Sequence, residues 1–248
     1  SRPQLVGSVI CIGLSTLVPI PARESWPMIL ASVIIHNFYY FSLARAYRSG
    51  DLSQVYPLFR GLAPVLVAVG AVILADEWLS GGTLAGIVII SVGVISLAFR
   101  NATLGAMPPK ALFWGLTTSV LIACYTVVDG MGVRAAGNPL SYILWLFIFE
   151  VVPIGLILLL TQRQGWINYL RENTALVITG GVASSAAYGL VIFAMSLGAM
   201  AVVSSLRETS VIFAAIIGAM FLREPFGPAR IRAASLVAVG IILMRVIG

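Results

Sequence analysis

The chain has 248 residues, of which 60% are hydrophobic and 10% charged, where an ordinary soluble domain has roughly 45 to 50% and about 25%. A solvated surface on a chain of this size needs charged side chains that are absent here, so the surface faces hydrocarbon and the class is an integral, polytopic membrane protein. The net charge of +6 comes from 15 Arg and Lys spread singly or in pairs, without the basic and aromatic clusters that track a phosphate backbone, and this excludes nucleic-acid binding.

Nine apolar runs follow in chain order, at about 5 to 20, 28 to 44, 52 to 75, 83 to 99, 111 to 128, 140 to 160, 175 to 196, 200 to 222 and 231 to 247, near the roughly 17 to 25 residues of a spanning helix. Hydrocarbon offers no water to backbone groups, so each run is predicted to be helical. Turn residues separate them: Pro21, Ser49-Gly50-Asp51, Gly81-Gly82, Pro108-Pro109, Asn138-Pro139, Asn173 and Pro225-Phe226-Gly227-Pro228. The first run has neither a basic segment before it nor a small-residue cleavage site after it, so it does not read as a signal peptide. With Ser1 at its start, the chain is expected to begin part-way through a longer product. Cys11 and Cys124 lie inside apolar runs without a C-x-x-C or His partner, which disfavours zinc and disulfides. They read as small core residues, and no metal or other cofactor is expected.

Residues 52–97 laid over 199–244 at a constant offset of 147 place Arg60 on Arg207, Glu77 on Glu224 and Gly93 on Gly240. Such rare classes recurring without a gap mark two related halves, at 1–100 and 109–248. The second half carries five runs and the first four, so a helix is expected upstream. Five plus five, an odd number per repeat, places the halves upside down relative to each other. The predicted fold is therefore an all-α transmembrane bundle of two inverted repeats, the arrangement of secondary transporters with midplane sites.

Orientation rests on the loop cations. Arg2, Arg45, Arg48, Arg100, Lys110, Arg163, Arg171, Arg223, Arg230 and Arg232 fall on one side, and Arg23, Arg134 and Arg245 on the other. The first set is cytoplasmic by the positive-inside rule.

The segment Ala44-Arg-Ala-Tyr-Arg-Ser-Gly-Asp-Leu-Ser-Gln-Val-Tyr-Pro57, a long apolar helix, Asp76-Glu77 and a Gly86/Gly93 helix resemble the EamA domain. The second copy, ending in Arg223-Glu224-Pro225 and Gly240, does too. The likeness covers nearly the whole chain and implies a ten-helix member of the drug/metabolite transporter superfamily, lacking here its first helix. Asp76-Glu77 and Arg223-Glu224 stand where that family usually has Gly-Glu. The family keeps both termini in the cytoplasm, whereas the charge count puts this C-terminus outside, so orientation stays open. The resemblance implies a bacterial cytoplasmic membrane.

An Arg at a helix centre costs about 2.5 to 3.5 kcal/mol on insertion scales. Arg60 lies eight residues into its run, roughly 12 Å deep, and Arg207 is similarly deep. Two guanidinium groups related by the repeat can clamp a carboxylate, phosphate or phosphonate, or else snorkel to the interface. Tyr56, one turn before Arg60, shares its face. Pro57 and Pro64 either free a carbonyl or simply bend that helix, and Gln54 reads as interfacial. Glu208 points about 100° away from Arg207 on a regular helix, so one of the two needs a partner elsewhere: the candidates are Glu208 with Arg60, or Arg207 with Asp129 or Glu150. Glu208 is also a group on which a proton can ride.

Thr118, Tyr125 and Asp129 share a helix face, with Asp129 near its end beside Gly130 and Gly132, to bind a proton or amine or to serve as a turn residue. Glu150 lies in the middle of its run, where small multidrug-resistance proteins, the four-helix relatives of each half, resemble it in carrying a membrane glutamate. His36, Asn37, Tyr39 and Tyr40 form a polar patch in which His36 is a proton relay or a bonded core residue. Tyr142, Trp145 and Tyr188 are cavity walls or interfacial rings. The substrate set is thus Arg60, Arg207, Tyr56, Tyr125, Trp145 and Tyr188, and the proton-coupling set Glu208, Asp129, Glu150 and His36.

Glu77 and Glu224 are expected to brace the turn between the last two helices of each half. Gly86 and Gly93, with Ala233 and Gly240, form small-residue stripes for packing within or between protomers, which makes a homodimer one expected arrangement. Gly181, Ser185 and Gly189 form another stripe. No G-x-x-x-x-G-K-[ST] motif is present, so the expected function is gradient-driven: a secondary transporter of a small polar or amphipathic metabolite, an exporter or proton-coupled antiporter. A lipid-linked sugar flippase is the alternative. An intramembrane enzyme is disfavoured by a single His and the lack of H-E-x-x-H or a nucleophile constellation.

Overall fold

The computed structural model describes residues 18–99, 107–161, 172–213 and 228–248. Outside them lie most of the first run with Cys11, the loop cations Arg2, Arg100, Arg163 and Arg171, the rest of the 200–222 run, and Arg223-Glu224-Pro225. Every regular element among the described residues is helical: α1 Trp26–Ser49 after a 3-10 turn at Arg23–Ser25, α2 Leu52–Ala75, α3 Gly81–Ser96 with a 3-10 turn at Leu97–Phe99, α4 Pro109–Ala135, α5 Pro139–Thr161, α6 Thr174–Leu197, α7 Met200–Arg207 and α8 Pro228–Val246. Five described stretches are long and apolar enough to cross a bilayer: Arg23–Ser49, Leu52–Ala75, Gly81–Phe99, Pro109–Ala135 and Thr174–Leu197. The fold is all-α and polytopic, as expected.

The ends of these helices follow the turn residues. The Asp51 carboxylate accepts the Ser53 N–H at 2.7 Å to cap α2, and the Ser53 side chain first, with this backbone bond, holds the exposed carboxyl below its usual pKa. Asp76 closes α2 in the left-handed region at φ 52, where its carboxylate accepts the Trp78 indole N–H at 2.7 Å. Ser80 caps α3 through the Thr83 N–H at 3.0 Å, and Asn138 caps α5 through Leu140 N–H at 2.9 Å. Pro57 and Pro64 both sit inside α2, which runs on through them.

The chain resolves into two compact units, Ser1–Tyr40 with Val128–Leu197, and Phe41–Val127 with Gly198–Gly248. Two boundaries fall inside α1 and α4 and the third between α6 and α7, and each unit takes residues from both 1–100 and 109–248. In the first unit Trp26 stacks edge-on to Trp145 and Phe149, with ring centroids 5.3 and 5.8 Å apart. Arg134 donates from Nε to the Met195 carbonyl at 2.9 Å, which satisfies an orphan acceptor at the C-terminal end of α6.

In the second unit α2 packs against α3 and α7, and α3 packs against α8. The small-residue stripes make that last contact. A Cβ on Gly240 would lie 2.7 Å from the Gly86 carbonyl, and one on Gly93 3.2 Å from that of Ala233. Low residue numbers on one helix meet high ones on the other, so the crossing is antiparallel. The offset of 147 sends Gly86 to Ala233 and Gly93 to Gly240, so it exchanges the two contacts with each other.

Two expectations change here. Cys124 is exposed and continues a stripe with the exposed Phe113, Leu116 and Val120, so it faces outward and is not a core residue. Glu77 does not brace its own turn alone: its Oε2 accepts the Met200 N–H at 2.9 Å and so holds the start of α7, which belongs to the other sequence half.

Candidate functional site

The chemistry-bearing residues gather into two clusters, one in each unit. In the second unit α2 carries Arg60 two turns from its N-terminus, and α7 ends at Arg207. The chain then turns through Glu208 and Thr209 before helical geometry resumes at Ser210. Across this break the backbone bonds shorten to three-residue steps: Glu208 N–H to the Ser205 carbonyl, Thr209 to Leu206, and Val211 to Glu208. Interrupted membrane helices with this character line transporter sites.

The break aims Glu208 inward, with 0% of its side chain exposed. Arg60 donates from Nε to Glu208 Oε2 at 3.1 Å, and its Nη2 lies 3.3 Å from the Ser210 hydroxyl. Arg207 Nε stands 3.8 Å from Glu208 Oε1. The expectation that Glu208 turns away from Arg207 fails because it assumes a regular helix, and the helix has ended by then. The three ionised groups together carry a formal +1. Arg60 is 16% exposed along its side chain, and its guanidinium carbon lies 6.0 Å from the centroid of the Tyr56 ring, so Arg60 and Tyr56 share a face as expected. Gly61 stands 147 residues before Glu208, the offset that carries Arg60 onto Arg207. A Cβ there would lie 2.6 Å from Ile95 Cγ1 and 3.0 Å from the Ser91 carbonyl, so the first half spends on helix contact the position where the second half carries its acid.

The first unit holds Asp129, Tyr142, Trp145, Glu150, Tyr188 and His36. Asp129 is 0% exposed and sits well inside α4, which continues to Ala135. It is not the helix-end turn residue that a run stopping at 128 suggested. The Tyr142 hydroxyl donates to its Oδ1 at 2.9 Å, and the Tyr188 hydroxyl donates to Oδ2. Gly132 makes this possible: a Cβ there would lie 2.6 Å from Tyr142 Cζ, so only a bare backbone lets the ring pass to Asp129.

His36 lies on α1 one turn beyond Ser32. Its Nδ1 is 3.0 Å from the Ser32 carbonyl, 3.1 Å from the Ser32 hydroxyl and 3.2 Å from Glu150 Oε1 on α5. The carbonyl can only accept, so the bond to it places the proton on Nδ1, while Glu150 Oε1 makes no hydrogen bond among the described residues. The imidazole is ringed by Tyr39, Tyr40 and Tyr188, with centroids 6.4, 6.2 and 5.6 Å away. Trp145 stacks on Phe149 at 6.1 Å, and its indole N–H meets no acceptor among the described residues.

Tyr125 is buried in the second unit, one turn before Asp129 on α4. Thr118 is also buried there, and its hydroxyl lies 2.8 Å from that of Ser42. Ser32 and Ser210 are the site residues that sequence reasoning missed. A serine in an apolar run is common, and only the fold shows that Ser32 touches the His36 imidazole and Ser210 the Arg60 guanidinium. Among the described residues no group of three metal-ligating side chains converges.

The family model of the EamA-like transporter family matches residues 109–246. A solved structure, described only as the crystal structure of a protein, is similar over 98% of this chain and 84% of that chain, with a TM-score of 0.75 and 15% identity. At that identity the likeness is one of fold. Comparison with curated proteins finds no match.

Proposed function

The chain belongs to the EamA-like transporter family, a family of membrane transporters and not of enzymes, and from that premise we propose that it carries a small anionic metabolite across the bacterial cytoplasmic membrane by alternating access. The observation that supports this reading is Glu208, fully buried at a helix break and shared by Arg60 and Arg207. A carboxylate held by two guanidinium groups stands in for the ligand that such a pair selects. An entering carboxylate, phosphate or phosphonate takes over the Arg60 donors, and Tyr56 packs beside it. Removing charges from water into this cluster is tolerated because the charges come paired.

In this reading Glu208, Asp129, Glu150 and His36 are the groups that carry protons. The reciprocal crossing of α3 and α8 supports inverted repeats, and with them a rocking cycle that exports the anion against an inward proton.

The test is counterflow in proteoliposomes holding the full chain, with inorganic phosphate, methylphosphonate, succinate and glutamate as labelled anions and tetraphenylphosphonium as a cation. Saturable counterflow of an anion is expected, falling more than about tenfold in Arg60→Ala. Movement of the cation alone, or anion flux unchanged in both Arg60→Ala and Arg207→Ala, overturns the proposal.

A further inference from the structure

Arg45 and Arg48 near the end of α1 and Lys110 at the start of α4 are exposed and belong to neither cluster. Among the described residues none of the three forms a salt bridge with a carboxylate. The parts of α1 and α4 that carry them, from Phe41 and up to Val127, lie in the second unit. There the two helices touch and run antiparallel. The Ser42 hydroxyl is 2.8 Å from that of Thr118 and 3.2 Å from the Trp114 carbonyl, and further along α1 a Cβ on Gly50 would lie 2.6 Å from Ala111 Cβ.

One face of this pair is layered. On α1, Phe41, Arg45 and Arg48 follow the i, i+4, i+7 spacing of a single face, and on α4 Lys110 is followed at i+3 and i+4 by Phe113 and Trp114. The Phe41 and Trp114 rings join the two faces with centroids 5.7 Å apart, and Phe113 packs on Trp114 at 5.2 Å. Because α1 ends where α4 begins, all three cations lie outward of these rings, with the Arg45 guanidinium carbon 5.1 Å from the Phe41 centroid. Inward of the rings runs the exposed stripe Phe113, Leu116, Val120 and Cys124. It extends for roughly 16 Å at the rise of an α-helix, about half the hydrocarbon thickness of a bilayer. Thr117 beside it donates its hydroxyl to the Phe113 carbonyl at 2.9 Å, so that proton is not left open to hydrocarbon.

We infer that this face binds one anionic phospholipid, with Arg45, Arg48 and Lys110 on the headgroup phosphate and an acyl chain along the α4 stripe. Charge complementarity selects this occupant. Of the described acids of the second unit, Asp76 and Glu77 stand at the far end of α2 and Glu208 is buried. Asp51 stands at the near end, and its carboxylate is engaged by the Ser53 N–H. Three cations against that one carboxylate leave a formal +2 beside the headgroup layer, where each Lys or Arg attracts anionic lipid. The Phe41 ring steadies Arg45 without supplying an oxygen, so the guanidinium N–H groups still call for an acceptor. Snorkelling alone needs each cation to reach water separately, whereas the Phe41–Trp114 contact sets those of α1 and α4 on one aromatic shelf. A soluble anion would meet the cations only. A lipid meets them and also covers a stripe one leaflet long.

The experiment weighs bound lipid and measures no transport, so its result is independent of the arginine cluster. The full chain in detergent is mixed with equal amounts of phosphatidylglycerol and phosphatidylcholine of matched acyl chains, and retained lipid is counted by native mass spectrometry. Preferential retention of phosphatidylglycerol is expected, falling about fivefold in each of Arg45→Gln, Arg48→Gln and Lys110→Gln. These side chains are exposed, so the fold is kept. Arg245→Gln, exposed at the C-terminal end of α8, should retain lipid as the wild type does. Equal retention of the two lipids by the wild type, or an unchanged preference in the triple Arg45→Gln, Arg48→Gln, Lys110→Gln variant, overturns the inference. Displacement of the lipid by millimolar inorganic phosphate or glycerophosphoglycerol overturns it as well, because the face would then take a free anion without an acyl chain.

Discussion

Replacing Gly240 by alanine tests the antiparallel crossing of α3 and α8, because its cost can be worked from two distances. The new methyl would stand 2.7 Å from the Gly86 carbonyl oxygen and 2.6 Å from Ile90 Cγ1. Ile90 can turn its side chain, but a helix carbonyl cannot, so the axes must separate by about 0.7 Å to restore ordinary contact. Overpacking of that kind costs about 1 to 3 kcal/mol, which for a chain of this size lowers the melting temperature by on the order of 5 °C. Gly93→Ala meets its nearest carbonyl, that of Ala233, at 3.2 Å and the Leu236 Cβ at 2.9 Å. It should cost about half as much or less. Gly180→Ala, in the middle of α6 with nothing within 4 Å, should be stabilising by about 0.5 to 1 kcal/mol through helix propensity. Thermal melts of the purified variants in detergent, read by loss of the monodisperse peak, give the order directly. A Gly240→Ala protein that melts with the wild type, or below Gly93→Ala in cost, refutes the reasoning.

Other predictions follow from single contacts. Glu208→Gln takes the arginine cluster from a formal +1 to +2, so counterflow should shift in favour of dianions such as succinate over monoanions, and an unchanged ratio would remove Glu208 from the charge balance of the site. Tyr142→Phe deletes one of the donors on the buried Asp129 and should destabilise by about 1 to 3 kcal/mol in a thermal melt, with Gly132→Ala at least as severe because it displaces the whole ring. At Asp51 the lowered pKa fixes the sign of a pH effect. Its capping contribution is complete above the ordinary carboxylate range and is lost as pH falls through the lowered value. The acid-side loss of melting temperature should therefore shrink in Asp51→Asn, which keeps a capping oxygen and has no charge to lose.

The extent of what can be read from the sequence follows the physics of each residue. Helix limits were legible where polar caps stand at the water boundary, and the 52–75 run coincides with α2 because Asp51 and Asp76 end it. The run ending at 128 stops too early, since Asp129 looks like a terminus to hydropathy while tyrosine hydroxyls satisfy it inside the helix. The Arg60–Glu208 pair was legible as one of three candidate pairings, because intramembrane charges are rare and need partners. The Arg207 contact was not, because only the helix break after Arg207 permits it. Cys124 was misplaced for a reason peculiar to membranes: lipid and core are both apolar, so periodicity finds the faces without saying which is inside. His36 and Glu150 carry no local signal for each other, being brought together from α1 and α5.

Gly61 and Glu208 lie at the same offset of 147 that relates Arg60 to Arg207, yet one is a bare backbone against a neighbouring helix and the other an acid between two cations. On the inverted-repeat reading, the two end states of a rocking cycle swap the surroundings of these places. Two like residues would make the inward-facing and outward-facing forms equal in energy, as the faces of a fair coin are. A single acid on one side loads the coin, and the carrier rests preferentially in one of its two openings until a charge of the right sign arrives to balance it.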